Sequence, residues 1–141
     1  MPSATHADVL ARRRHVLLNG DADGFADLFA PDGVIEVPFA SLPGMPARLA
    51  GREAIREHSR HLLALPLRLE SFEIAELYQT VDPEVVIVEM RTTATVTTTG
   101  QSFTATSIQI LRIRDGHIVL FRDFADPRGL EDVLGEPRRG N

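Results

Sequence analysis

At Pro66 the hydropathy of this chain changes period, and no other feature limits its fold so tightly. Before it, apolar residues recur at spacings of three and four, as in helices that bury one stripe. After it they alternate with polar residues, as in strands that bury one face. Four strands are expected beyond the switch, near residues 67–80, 84–98, 101–114 and 117–124. The separators Val81-Asp82-Pro83, Thr99-Gly100 and Asp115-Gly116 are turn sequences, so the four form an antiparallel meander. Asp115-Gly116 is the strongest of these, because both central positions of a two-residue hairpin turn need φ > 0 and apolar residues flank it on both sides. The Thr-rich stretch from Thr92 to Thr99 has high strand propensity, and Val96 ties it to the sheet.

The segment ahead of Pro66 reads as three helices and one short strand. Thr5 caps a first helix to about Asn19, with Val9, Leu10, Val16 and Leu17 on one stripe and Gly20 as its stop. A second, short helix follows Asp21 and buries Phe25, Leu28 and Phe29. Residues 30–33 form a turn and Val34 to Phe39 a short strand, whose Pro38 marks an end or an edge. Residues 40–50, with Pro43, Gly44 and Pro46, form a loop long enough to cover a pocket. A third helix from Gly51 to Leu65 carries Ala54, Ile55, His58, Leu62 and Leu65 on one face. Asp126-Pro127 ends the last strand, a short helix through Leu130, Val133 and Leu134 follows, and the tail from Gly135 is expected to fray. At 141 residues, 43% of them hydrophobic, the chain can bury one core, so residues 1–141 are read as a single domain.

Charge and residue usage narrow the function. A net charge of -5 gives no footprint for nucleic acid or for an anionic membrane surface. Arg12-Arg13-Arg14 is the only tight basic run; inside a helix it reads as a solvated face, with a phosphate or carboxylate clamp as the alternative. Without cysteine there is no disulfide and no thiolate chemistry. Of the five histidines only His58 and His61 have a helical spacing suited to metal, and with no third ligand beside them no metal site is assigned. The amino terminus lacks a basic region followed by a long apolar run, so a soluble, cytoplasmic protein is expected.

One carboxylate stands out. Side chains two apart on a strand share a face, so Val119, Phe121 and Asp123 line up together. Desolvation raises the pKa of an acid in such company towards the range useful for proton transfer, which makes Asp123 a catalytic candidate. The competing reading, which strand parity alone favours, is a structural salt bridge to a neighbouring arginine. Ile118, Leu120 and Phe124 fall on the opposite face and need cover that one layer of helices cannot supply, so a homodimer through that face is expected.

The order helix, helix, short strand, helix and meander, with "NGDADGFADLFAPDGVIEVPF" early and "IRDGHIVLFRDFADP" late, resembles the nuclear-transport-factor-2-like superfamily over nearly the whole chain. That resemblance implies an α+β, cone-shaped fold with three N-terminal helices packed on a curved antiparallel sheet. The Arg122-Asp123-Phe124 triplet followed by an acid resembles the SnoaL-like polyketide cyclases and the phenazine-biosynthesis A/B-type proteins, and residues 77–83 also look phenazine-type. By the same resemblance, the apparatus of ketosteroid isomerases is missing: Val37 stands where the base would be, Gln109 near the place of the protonated oxyanion-hole acid, and the first helix has no tyrosine. Of a limonene-epoxide-hydrolase-like triad only Asp123 survives, because Met90 and Thr92 stand where Arg-x-Asp would lie.

The SnoaL-like resemblance implies Asp123 as general acid/base, and the phenazine-type one adds a histidine that maps to His58. A lone histidine on a helix face beside Ile55 and Leu62 is otherwise a satisfied core residue. The leading expectation is a cyclase, isomerase or condensation enzyme. It would act without cofactor or metal on a small hydrophobic carbonyl metabolite, with Asp123 and His58 moving the proton. Gln109 or Ser59 would bind the substrate oxygen, and Phe39, Met90, Phe103 and Phe121 would form apolar walls. The alternatives are a non-catalytic binding or assembly module of the same fold, an epoxide-hydrolase-like enzyme, and a purely structural dimerisation domain.

Overall fold

The computed structural model describes residues 4–40, 46–126 and 128. Among the described residues, three helices, α1 (Ala4–Leu18), α2 (Ala22–Ala26) and α3 (Arg52–Leu63), accompany six strands: β1 (Phe29–Glu36), β2 (Arg48–Ala50), β3 (Leu67–Gln79), β4 (Val85–Val96), β5 (Ser102–Arg114) and β6 (His117–Ala125). The strands form one sheet in the order β2-β1-β6-β5-β4-β3. The meander β3 to β6 is antiparallel throughout, as its turns dictate. Its last turn has Asp115 at φ 53° and Gly116 at φ 80°. Glycine there avoids a clash that costs other residues about 1–2 kcal/mol.

Alternation decides which face of the sheet is covered. On β4 Val86, Val88, Met90, Ala94 and Val96 are all buried. Against this face pack Val9 and Leu10 of α1, Phe25 of α2 and Ile55 of α3, joined by Leu111 and Ile113 of β5 and Phe121 of β6. Charged side chains fasten the helices to each other and to the sheet. Arg56 of α3 reaches Asp23 at 3.3 Å and Asp27 at 2.8 Å, and Arg52 donates from Nε and Nη2 to the Phe29 carbonyl at 2.8 and 2.6 Å.

Three features depart from the sequence reading. The sheet is mixed, because β1 runs parallel to β6. The two are distant in the chain, so no tight turn fixes their relative direction, whereas the meander strands are each joined by one. The turn expected at residues 30–33 is absorbed into β1 as an irregularity between Phe29 and Val34, with Pro31 and Asp32 exposed. On β6 the register shifts opposite Arg112 and Ile113: Leu120 pairs with Arg112 but Ile118 with Ile113. One extra residue exchanges the faces beyond it. Ile118, expected to face outward, is therefore fully buried in the core. Part of the 40–50 loop forms β2; its residues 41–45, and the helix and tail expected from Leu130 onward, lie outside the described residues.

Candidate active site

Register builds the site. Leu77, Val88, Gln109 and Asp123 form one row across β3, β4, β5 and β6, and Ile74, Met90, Ser107 and Ala125 form the row beside it. Gln109, Ser107 and Asp123 thus make a small polar island on the helix-covered face, among Val88, Met90 and Phe121.

A residue from α1 completes the island. The helical period puts Arg13, but neither Arg12 nor Arg14, on the stripe that holds Val9 and Leu10, and it is only 1% exposed. Its Nη1 donates to Oε1 of Gln109 at 2.7 Å and its Nη2 to the Met90 sulfur at 3.5 Å. The guanidinium carbon sits 5.0 Å from the Phe72 ring centre and 5.3 Å from that of Phe121, within cation–π range of both. Burial lowers the Arg13 pKa to about 10 against the opposing pull of Asp123, which leaves it charged at neutral pH. A guanidinium has no acceptor, so Gln109 must offer it the carbonyl oxygen. The NH2 group of Gln109 is left facing the Ser107 hydroxyl, at 3.4 Å.

Asp123 is half-buried, and its Oδ1 is fully buried with no hydrogen-bond partner. Burial pushes its pKa up; hydrogen bonding from Gln109, the Arg13 charge and hydrogen bonding from Ser107 at the carboxyl pull it back in part, although Oδ1 itself has no partner. No salt bridge to Asp123 forms among the described residues. Its neighbour Arg122 turns instead to Glu36, at 2.7 Å. An acid kept out of water, held in no ion pair among the described residues and with an unused oxygen, is suited to exchange a proton with a ligand.

The other expected residues divide. Met90, Gln109 and Phe121 surround Arg13, and Phe103 lies on the same face at the pairing with Ala94. His58 is half-buried on α3; burial first and His61 second lower its pKa. No hydrogen bond joins it to Asp123 among the described residues, and the charge that bears on Asp123 is that of Arg13. Ser59 is buried beside Ile55. Phe39 lies apart from this group: 57% exposed, it meets the outward Phe124 edge-on with ring centres 6.0 Å apart. The two wall a groove of about 630 Å³ together with Glu89, Arg91 and Ile108; Met90 and Ser107, from the row beside Asp123, also line it, but Asp123 does not. Strand parity explains this, since Phe124 and Asp123 are adjacent and point to opposite faces. Sequence reasoning missed Arg13 by reading three arginines as one run, although the stripe singled out the middle one.

A layer of three helices over one face of a strongly paired six-stranded sheet, with an acid on the covered face, defines a nuclear-transport-factor-2-like cone. Within that class the chain belongs to the SnoaL-like domain family, which matches residues 10–121. It is 39% identical over 129 residues to an uncharacterized PhzA/B-like protein of Pseudomonas aeruginosa, covering 91% of this chain and 89% of the relative. A solved Bacillus subtilis structure, provisionally named an isomerase, is 26% identical with a TM-score of 0.86 and covers 95% of each chain. A phenazine biosynthesis-related protein of Pseudomonas aeruginosa shares the fold at a TM-score of 0.64 and 18% identity, covering 96% of this chain and 91% of that one.

Proposed function

We propose that the protein is a small-molecule enzyme of the cyclase, isomerase or condensation type, in which Asp123 moves a proton at a carbon next to a carbonyl of a hydrophobic metabolite. The observation that carries this reading is the state of Asp123: raised pKa and, among the described residues, no salt bridge and a buried oxygen with no partner. An unsatisfied buried acceptor costs about 1–3 kcal/mol, which a ligand that donates to it would recover. Proton abstraction by a carboxylate needs neither cofactor nor metal. His58, kept neutral at pH 7 by its lowered pKa, is proposed to meet the ligand rather than Asp123. Ser107 is better placed than Ser59 to touch the ligand, since it is half-buried beside Gln109 whereas Ser59 is closed off. The names of related proteins, isomerase and PhzA/B-like, are compatible with this chemistry.

A non-catalytic binding module is the second reading. It is favoured by the lining of the 630 Å³ groove, which includes Ser107 and Met90 but not Asp123. One experiment separates them. Enolisable ketones and β-dicarbonyl compounds are incubated with the protein in deuterated buffer, and deuterium uptake next to the carbonyl is followed by NMR. Exchange that Asp123→Asn abolishes supports the enzyme; ligand-induced thermal stabilisation without exchange above buffer supports the binder.

A further inference from the structure

We propose that Arg13 is a positioning residue of the Asp123 site, holding the Gln109 amide so that its NH2 group is turned towards Ser107 and Asp123. Arg13 cannot itself meet a ligand in this packing. At 1% exposure, with aromatic rings near its guanidinium and the Gln109 amide and Met90 sulfur at its tip, it leaves no space for a substrate atom. Gln109, at 4% exposure, is almost as enclosed, and only Asp123 and Ser107 of this group are half-buried. The order of depth is therefore cation, amide, acid.

Burying a guanidinium is costly, and a hydrophobic residue of similar shape on the α1 stripe would fill the same volume without that cost. What the arginine adds is direction. An amide between two neutral donors could turn either way, but beside a group with no acceptor it has one orientation, and the hydrogen bond to a charged donor that fixes it is stronger than a neutral one. Asp123 then faces the donor side of Gln109 and the field of a permanent positive charge. The charged and titratable groups around Asp123 leave Arg13 in that role. From α1 comes Arg13; from β5 the neutral Gln109 and Ser107; Arg122 of β6 is paired with Glu36 of β1; and His58 of α3 lies beside His61.

This inference rests on Asp123 being the working acid, but its test does not need a substrate. In the full-length protein carrying 13C-labelled aspartate, the Asp123 carboxyl signal is titrated, and hydrogen exchange of the Gln109 side-chain NH2 is measured, in wild type, Arg13→Met and Arg13→Lys. The Met variant is expected to shift the Asp123 midpoint upward and to speed Gln109 NH2 exchange on the order of tenfold, one hydrogen bond's worth. The Lys variant, which keeps a charge and a donor, is expected to restore most of both. A folded Arg13→Met protein with an unchanged midpoint and unchanged exchange overturns the proposal. Should that variant not fold, Gln109→Asn shortens the amide by one methylene with Arg13 intact, and an unchanged Asp123 midpoint there overturns it equally. An unaltered titration alongside lost deuterium exchange in Asp123→Asn would sink the positioning role alone. The reverse result would sink the acid/base role alone.

Discussion

At the scale of single residues, Asp123 sets activity against stability. Its pKa is raised in the folded protein because burial disfavours the ionised form. For an acid this sign means a penalty to folding that is present above the folded pKa and absent below the unfolded one. Asp123→Asn is therefore expected to melt at a higher temperature than wild type at pH 7, with the difference shrinking as pH falls towards about 4, where the unfolded acid takes up its proton. The same variant should lose on the order of 10²–10⁴-fold in any turnover that uses Asp123 as acid or base. Calorimetric melts at the two pH values check the first expectation; an asparagine variant less stable at both would show that the carboxylate is structural. Asp123 was legible in the sequence because strand parity needs only its own strand. Arg13 was not, because the residues that make its burial tolerable, Phe72, Met90, Gln109 and Phe121, come from four different strands. Local pattern could show the arginine on an apolar stripe but not what received it.

At the scale of elements, the contact between β1 and β6 depends on Gly33. A Cβ there would lie 2.9 Å from the Ile118 carbonyl oxygen, 3.1 Å from that of Ala30 and 3.1 Å from the Phe29 ring. Two of those atoms are backbone and cannot rotate away. Gly33→Ala is expected to cost about 1–3 kcal/mol, the usual penalty for overpacking, and to lower the midpoint of denaturant unfolding without changing its slope. A midpoint equal to wild type would mean that the strands separate freely at this point. The meander was legible almost to the residue: the expected 101–114 and 117–124 stand beside Ser102–Arg114 and His117–Ala125. Its turn residues and alternation are both local signals. The parallel partnership of β1 was not legible, since alternation is the same in either direction. Nor was the extra residue on β6, because an added residue in one strand is defined only against its partner. That single residue turned Ile118 inward, while Asp123, on the far side of the shift, keeps the face that alternation alone predicts.

At the scale of the whole molecule, the two faces of the sheet are treated unequally. Helices cover the face that holds Asp123, while the other leaves Ile108 at 43% and Tyr78 at 46% exposure, with Phe39 at 57% packed on Phe124 beside them. The groove beside Ile108, Phe39 and Phe124 is edged by Glu89, by Arg91 and by the Asp126–Arg128 ion pair at 2.7 Å, so charges of both signs border it. A patch that is apolar in the middle and bordered by charges of both signs can pair with a copy of itself across a two-fold axis. We therefore expect a homodimer through this face, burying on the order of 800 Å² per subunit as stable interfaces do. Light scattering at micromolar concentration should give twice the mass of the chain, and Ile108→Asp should return the monomer. A wild-type monomer would mean that water alone covers the outer face. Because Ile108 and Gln109 are neighbours on β5 that point to opposite faces, the same variant also tests whether the faces are coupled. If they act independently, the Asp123 carboxyl should titrate alike in monomer and dimer. A shifted midpoint in Ile108→Asp would instead show that pairing of the outer face holds β5 where Gln109 can serve the acid.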